Sequence, residues 1–133
     1  MAKRKAVTID GYTATQMQNL TINLIYEIGG RAWRNNTGAA YRNQRLIKYG
    51  EVGSGDVIGF LPDGLFISVE IKTLNDSTSA EQIEFIEQVR AVGGVAFIAA
   101  QIKDVDDALA LYRSRADWIV KWTKSKPNWT NSH

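Results

Sequence analysis

The chain has 133 residues, is 44% hydrophobic and 23% charged, and carries a formal net charge of +2. That length supports one hydrophobic core rather than two. There is no cysteine and the single histidine is His133, which excludes a disulfide framework, a thiolate or histidine metal site and a Ser-His-Asp triad. Any metal ion must therefore be held by oxygen. No apolar run approaches the roughly 18 residues that span a bilayer, and no apolar segment of signal-peptide type follows the basic start. A cytoplasmic protein with no membrane partner is expected.

Residues 1–13 include Lys3, Arg4 and Lys5 and are expected as a flexible basic arm or a short strand. Over residues 14–28 the apolar residues Met17, Leu20, Leu24, Ile25 and Ile28 recur at helical spacing, and Gly29-Gly30 ends the helix. Glu27 falls seven residues after Leu20, near the apolar stripe. It reads either as an inward carboxylate that could join a metal site or as a boundary residue reaching solvent. Residues 32–34 read as a strand, 35–42 as a polar loop or irregular ribbon, and 45–49 as a short strand. Arg31, Arg34, Arg42, Arg45 and Lys48 fall in one stretch without an acidic residue. With Asn36 among them, that stretch suits a phosphate backbone, although a solvated basic face would look the same. Residues 50–55 hold three glycines and form a loop.

Two apolar runs, 57–61 and 65–71, flank Pro62-Asp63-Gly64. Proline presets φ and glycine supplies a positive φ, so this tripeptide predicts a hairpin with a three-residue loop. Leu61 then pairs with Leu65, and Asp56 comes to lie directly opposite Glu70. Opposed residues of an antiparallel pair share a face with Cβ atoms about 5 Å apart, and Lys72, two residues on, points to that face too. Such carboxylates repel unless a cation lies between them. A hard divalent ion such as Mg²⁺ or Mn²⁺ takes one or two carboxylates plus waters and substrate phosphate. Exposed cross-strand ion pairs are the plain alternative for the same residues.

Ser79-Ala80-Glu81-Gln82 matches a capping box and opens a helix to about Val92, with Ile83, Ile86, Val89 and the stem of Arg90 expected inside. Gln82 is thus a capping residue that also falls near the hairpin carboxylates. Residues 95–100 form a continuous apolar strand, and 104–112 a helix with Val105, Ala108, Leu109 and Tyr112 inward. Residues 114–133 hold Trp118, Trp122 and Trp129 interleaved with Lys121, Lys124 and Lys126. These could pack on the core, form an interface or stack on bases.

Asp56 followed by Glu70-Ile71-Lys72 reproduces the D…ExK signature of PD-(D/E)xK nucleases. With Trp33-Arg34-Asn35-Asn36, Gly38-Ala39-Ala40, Gly55-Asp56-Val57-Ile58-Gly59, Glu81-Gln82 and Phe85, the chain resembles the virus-type replication-repair nuclease (VRR-NUC) branch over roughly residues 16–111. The position before the aspartate, usually proline in that family, is Gly55. The family's helical glutamate falls near the start of the first helix, where this chain has Ala14 and Gln16. The resemblance implies a single α/β domain over residues 14–113, with a mixed sheet flanked by helices in the order α-β-β-β-α-β-α. It implies a metal-dependent DNA endonuclease selective for branched DNA, acting as a homodimer. Asp56, Glu70 and the Ile71 carbonyl would hold Mg²⁺ or Mn²⁺, and Asp56, Glu70, Lys72 and Gln82 would form the catalytic set. Arg31, Arg34, Asn36, Arg42, Arg45 and Lys48 would lie on the DNA side. A nucleic-acid-binding module on the same fold without turnover is the second expectation.

Overall fold

The computed structural model describes residues 6–114. The tryptophan- and lysine-bearing segment 115–133 and the first five residues lie outside them. Helix α1 (Ala14–Glu27) opens with Thr13, whose hydroxyl accepts from the Gln16 N–H while the Gln16 side chain accepts from the Thr13 N–H. It buries Met17, Thr21 and Ile25, and Gly29, at φ +95°, ends it. Strand β1 (Arg31–Arg34) follows, then a two-stranded ribbon of β2 (Gly38–Arg42) and β3 (Arg45–Tyr49), then the hairpin β4 (Val57–Phe60) and β5 (Phe66–Ile71). Helix α2 (Ala80–Ala91), strand β6 (Val95–Ala99) and helix α3 (Ile102–Arg113) complete the domain.

The main sheet has the order β1-β4-β5-β6. β4 runs antiparallel to both of its neighbours, β1 and β5, and β6 runs parallel to β5, so this is an α/β domain with a mixed sheet and three helices. Its main-sheet strands and helices follow α-β-β-β-α-β-α, with the β2–β3 ribbon inserted after the first strand. Of the two readings of 35–42, loop or irregular ribbon, the ribbon is what forms over Gly38–Arg42. Gly38–Arg42 offers little apolar signal of its own and becomes a strand by pairing with Arg45–Tyr49 across the Asn43-Gln44 turn.

The core lies on one face of the sheet. Ile67, Val69 and Ile71 of β5 pack there with Val57, Leu61 and Ala99, under Met17 and Ile25 of α1 and Val105, Leu109 and Tyr112 of α3. The alternate β5 residues Phe66, Ser68 and Glu70 face the other way, toward α2, whose Phe85 meets Phe66 edge-on at 6.4 Å and 74°. Helix α2 differs from its expected stripe. Only Val89 is buried, Ile83 is 46% exposed, and Arg90 reaches out to donate from Nε to the Ala96 carbonyl at 2.8 Å. The helix covers only the β5–β6 half of its face, so little apolar surface is needed on it.

Residues 6–13, expected within a flexible arm, are tied to the domain. Thr8 is fully buried, Val7 accepts from the Leu74 N–H, and Ile9 donates to the Ala100 carbonyl. Asp10 accepts from the Ile102 N–H at the start of α3. These are backbone and polar bonds that apolar periodicity does not register. Among the described residues, no helix is long and apolar enough to cross a membrane.

Asp63 of the hairpin turn is only 5% exposed. Its Oδ1 accepts from the Tyr112 hydroxyl at 2.8 Å and from the Leu65 N–H at 3.3 Å, which pins α3 to the turn. Its Oδ2 has no hydrogen-bond partner among the described residues. Tyr112→Phe, which withdraws the stronger donor from a buried carboxylate, is expected to cost about 1–3 kcal/mol of stability, read from urea unfolding with an unchanged m-value.

Candidate metal centre

The hairpin register sets the geometry of the site. Leu61 donates to the Leu65 carbonyl at 2.9 Å and Gly64 to the Leu61 carbonyl at 2.8 Å, closing the Pro62-Asp63-Gly64 loop. Val57 pairs with Val69 and Phe60 with Phe66. One step beyond Val57, Asp56 therefore faces Glu70, as the sequence predicts. The Ile71 N–H donates to Asp56 Oδ2 at 2.7 Å. Along an extended strand a residue's N–H and C=O point to the same side, so the Ile71 carbonyl is turned toward Asp56 as well. The Lys72 N–H points the other way and bonds the Ala99 carbonyl at 2.9 Å.

A cleft of about 270 Å³ opens here, lined among others by Ala14, Asp56, Glu70, Lys72, Asp76 and Gln82. The Lys72 ammonium donates to Thr78 Oγ1 at 3.1 Å, which holds it at the cleft wall. Gln82 closes the capping box expected of it: its Oε1 accepts from the Ser79 N–H at 2.8 Å and its own N–H donates to Ser79 Oγ at 3.1 Å. It caps α2 and lines the cleft together. The first turn of α1, through Ala14, and that of α2, through Gln82, both border the cleft. The positive ends of two helix dipoles thus lie beside it.

The loop before Asp56 is held from two sides. The Gly55 N–H donates to Ser68 Oγ at 3.0 Å, and a Cβ at Gly55 would come within 2.6 Å of that oxygen and 2.7 Å of the Val69 carbonyl. Only a residue with no side chain and a free N–H fits there. On the other side, the Asn35 N–H donates to the Asp56 carbonyl at 2.8 Å, and the Asn35 amide donates to the Gly55 carbonyl at 2.9 Å and to Ser54 Oγ at 2.6 Å.

Two residues of the cleft carried no earlier signal. Asp76 lies in the turn after β5, where its Oδ2 accepts from the Thr73 N–H and hydroxyl, both at 2.9 Å. Thr78 holds Lys72. Both sit in an irregular segment whose shape no periodicity foretells. Glu27, a candidate third ligand, is excluded by position. It is exposed at the last turn of α1, thirteen residues from Ala14 and hence on the order of 20 Å along the axis from the cleft. Arg31, Arg34, Asn36, Arg42, Arg45 and Lys48 are all exposed. Arg31 and Arg34 lie on β1, where Arg34 Nη2 donates to Asn19 Oδ1 at 2.9 Å. Arg42, Arg45 and Lys48 lie on the ribbon.

The electrostatics of the cleft centre on Glu70. Burial, the facing charge of Asp56, the hydrogen bond shared with Asp56 and the charge of Asp76 together push its pKa from 4.5 up to about 8. At neutral pH, with no cation present, Glu70 keeps a proton that the unfolded chain releases. Among the described residues no group of three or more His, Cys, Asp or Glu side chains could hold a metal ion. The groups that a cation would meet here are two facing carboxylates and one backbone carbonyl, with the rest of a shell left to water. That set fits a hard divalent cation that keeps most of its waters, and a cation there would replace the proton on Glu70.

The raised pKa has a consequence for stability. Below about pH 4.5 Glu70 binds a proton in both states. Between there and about pH 8 only the folded state binds it, so stability falls as pH rises through this window. The contribution is fully present at low pH and gone above about pH 8. Thermal unfolding in EDTA should show this decline for the wild type and a flatter profile for Glu70→Gln. A wild-type profile no steeper than that of Glu70→Gln would contradict the assignment. The chain matches no family model, no curated protein and no solved structure.

Proposed function

We propose that this chain is a metal-dependent deoxyribonuclease of PD-(D/E)xK type, of the VRR-NUC branch, hydrolysing phosphodiester bonds in branched or structured DNA. The observation that supports it most is the pairing of Asp56 with Glu70 across β4 and β5, with the Ile71 backbone turned to the same point. Asp56, Glu70 and the Ile71 carbonyl would hold Mg²⁺ or Mn²⁺. When bound, the ion polarises the scissile phosphate and acidifies a water. The protein's own contribution is positional and electrostatic. Asn35 and Ser68 fix the loop that carries Asp56. Lys72, steadied by Thr78, supplies a positive charge that orients the attacking water and offsets charge developing on the phosphate. The first turns of α1 and α2 favour the phosphate's negative charge at the same place. Gln82 closes the edge of the cleft.

A second reading, a nucleic-acid-binding domain on this fold without turnover, draws on Ala14. The residue offers the cleft a methyl group where a third carboxylate would fit. Incubation of a four-way junction with Mn²⁺ separates the two. Cleavage by the wild type and none by Glu70→Ala supports the nuclease, and binding without cleavage supports the other. For a nuclease, Lys72→Ala should lower kcat at least a hundredfold, in line with loss of one transition-state charge contact. Mn²⁺ affinity by calorimetry should stay near the wild-type value, and loss of Mn²⁺ binding would instead make Lys72 a positioning residue for the carboxylates.

The same reading carries a homodimer, because symmetric cutting of two strands needs two clefts at a fixed spacing. Light scattering at micromolar concentration reads this directly. A strict monomer that cuts only single flaps would leave the nuclease reading in place and remove the junction one.

A further inference from the structure

The β2–β3 ribbon stands apart from the domain. Every residue of both strands is exposed, and among the described residues no helix or strand packs broadly against it. An isolated two-stranded ribbon is marginal in water, so its sequence should favour its own stability wherever no other demand acts. At the tip it does the reverse.

Arg42 and Arg45 are direct cross-strand partners, and like charges so placed repel. No acidic residue lies between Arg31 and Lys48 to relieve them. The two-residue turn between them is Asn43-Gln44, at φ +51° and +64°. Asparagine tolerates that region, but glutamine does so at a cost that glycine would avoid. The tip is thus Arg-Asn-Gln-Arg: two cations without an ion-pair partner among the described residues, and two amides held on a strained turn. These are the side chains whose donors and acceptors match phosphates and base edges.

The root of the ribbon lies beside the cleft. Asn35, three residues before β2, donates to the Asp56 carbonyl. The strands have five residues each, so the ribbon extends about 17 Å. A two-stranded ribbon fits a B-form major groove about 12 Å wide, whereas the deep, narrow groove of an RNA duplex excludes it.

We propose that the β2–β3 ribbon enters the major groove of duplex DNA next to the phosphate held at the cleft. Arg42 and Arg45 take phosphates on either side of the groove, and Asn43 and Gln44 meet base edges between them. The proposal rests on the reading of the chain as a DNA-acting protein and adds an element that reads the duplex.

The test uses anisotropy of a fluorescein-labelled mixed-sequence duplex about two helical turns long, in EDTA so that no strand is cut, with the RNA duplex of the same sequence beside it. The wild type should prefer DNA. Arg42→Ala/Arg45→Ala should bind DNA at least tenfold more weakly, with the slope of log K against log salt reduced by about two. Gln44→Gly should raise the melting temperature, because glycine relieves the positive φ, and yet lose much of the preference for DNA over RNA. A purely structural turn would gain stability and keep the preference, and that result overturns the base-edge role. An unchanged salt slope in the double variant overturns the groove assignment, even if cleavage still depends on Glu70. A double variant that changes sedimentation mass and not the slope makes the ribbon a contact between copies, which also overturns it. If the wild type cuts no junction with Mn²⁺ while the slope falls as expected, the ribbon stands and the nuclease reading fails.

Discussion

The closure of β4 onto β5 around Pro62-Asp63-Gly64 is the constraint on which the rest depends. A side chain in a strand repeats its face every two residues, so a slip of one would send Glu70 into the apolar layer and Ile71 into the cleft. The register is held at both ends. At the turn, Asp63 is anchored under Tyr112, so the loop is fastened to α3. At the open end, the Ile71 N–H grips Asp56, and Asn35 and Ser68 hold the residues beside it. Val57, Ile67 and Val69, all fully buried, resist any slip because it would place them in water.

That arrangement explains how two acids come to face each other in a domain of marginal size. Nothing in the packing asks for them. The folded protein tolerates the pair by keeping a proton on Glu70, whose pKa lies near 8. The cleft therefore carries an electrostatic tension that the surrounding hydrogen bonds oppose. Removing either carboxylate relaxes the fold, whereas removing Asn35 or Ser68 loosens what holds the carboxylates in place. The two kinds of change should be separable by stability measurements made without substrate.

Much of this was legible in the sequence because it depends on local chemistry. The Pro-Asp-Gly loop fixes a register by counting. The Ser79-Gln82 capping box is written in four consecutive residues. The Met17 and Ile25 spacing sets the inner face of α1. What escaped was set by partners distant in sequence. Gly38–Arg42 has no strand signal until Arg45–Tyr49 lies against it. Val7, Ile9 and Asp10 are bound into the domain through backbone groups of residues 74, 100 and 102. Asp76 enters the cleft because the chain turns back on Thr73. Glu27 illustrates the opposite error: helical periodicity gave its face but not its height, and the cleft sits at the far end of that helix.

Arg90 bears on how the molecule avoids its own kind. Among the described residues β6 is the last strand of the main sheet, and a border strand offers unpaired backbone groups to any extended chain that meets it. The Arg90 guanidinium occupies the carbonyl of Ala96, the second residue of that strand. A foreign strand docking along β6 would have to displace a charged donor before it could form a ladder. An exposed arginine on an otherwise weakly amphipathic helix thus serves as a guard on the sheet, keeping two copies from joining edge to edge into a continuous β-structure and leaving other surfaces to determine how copies associate.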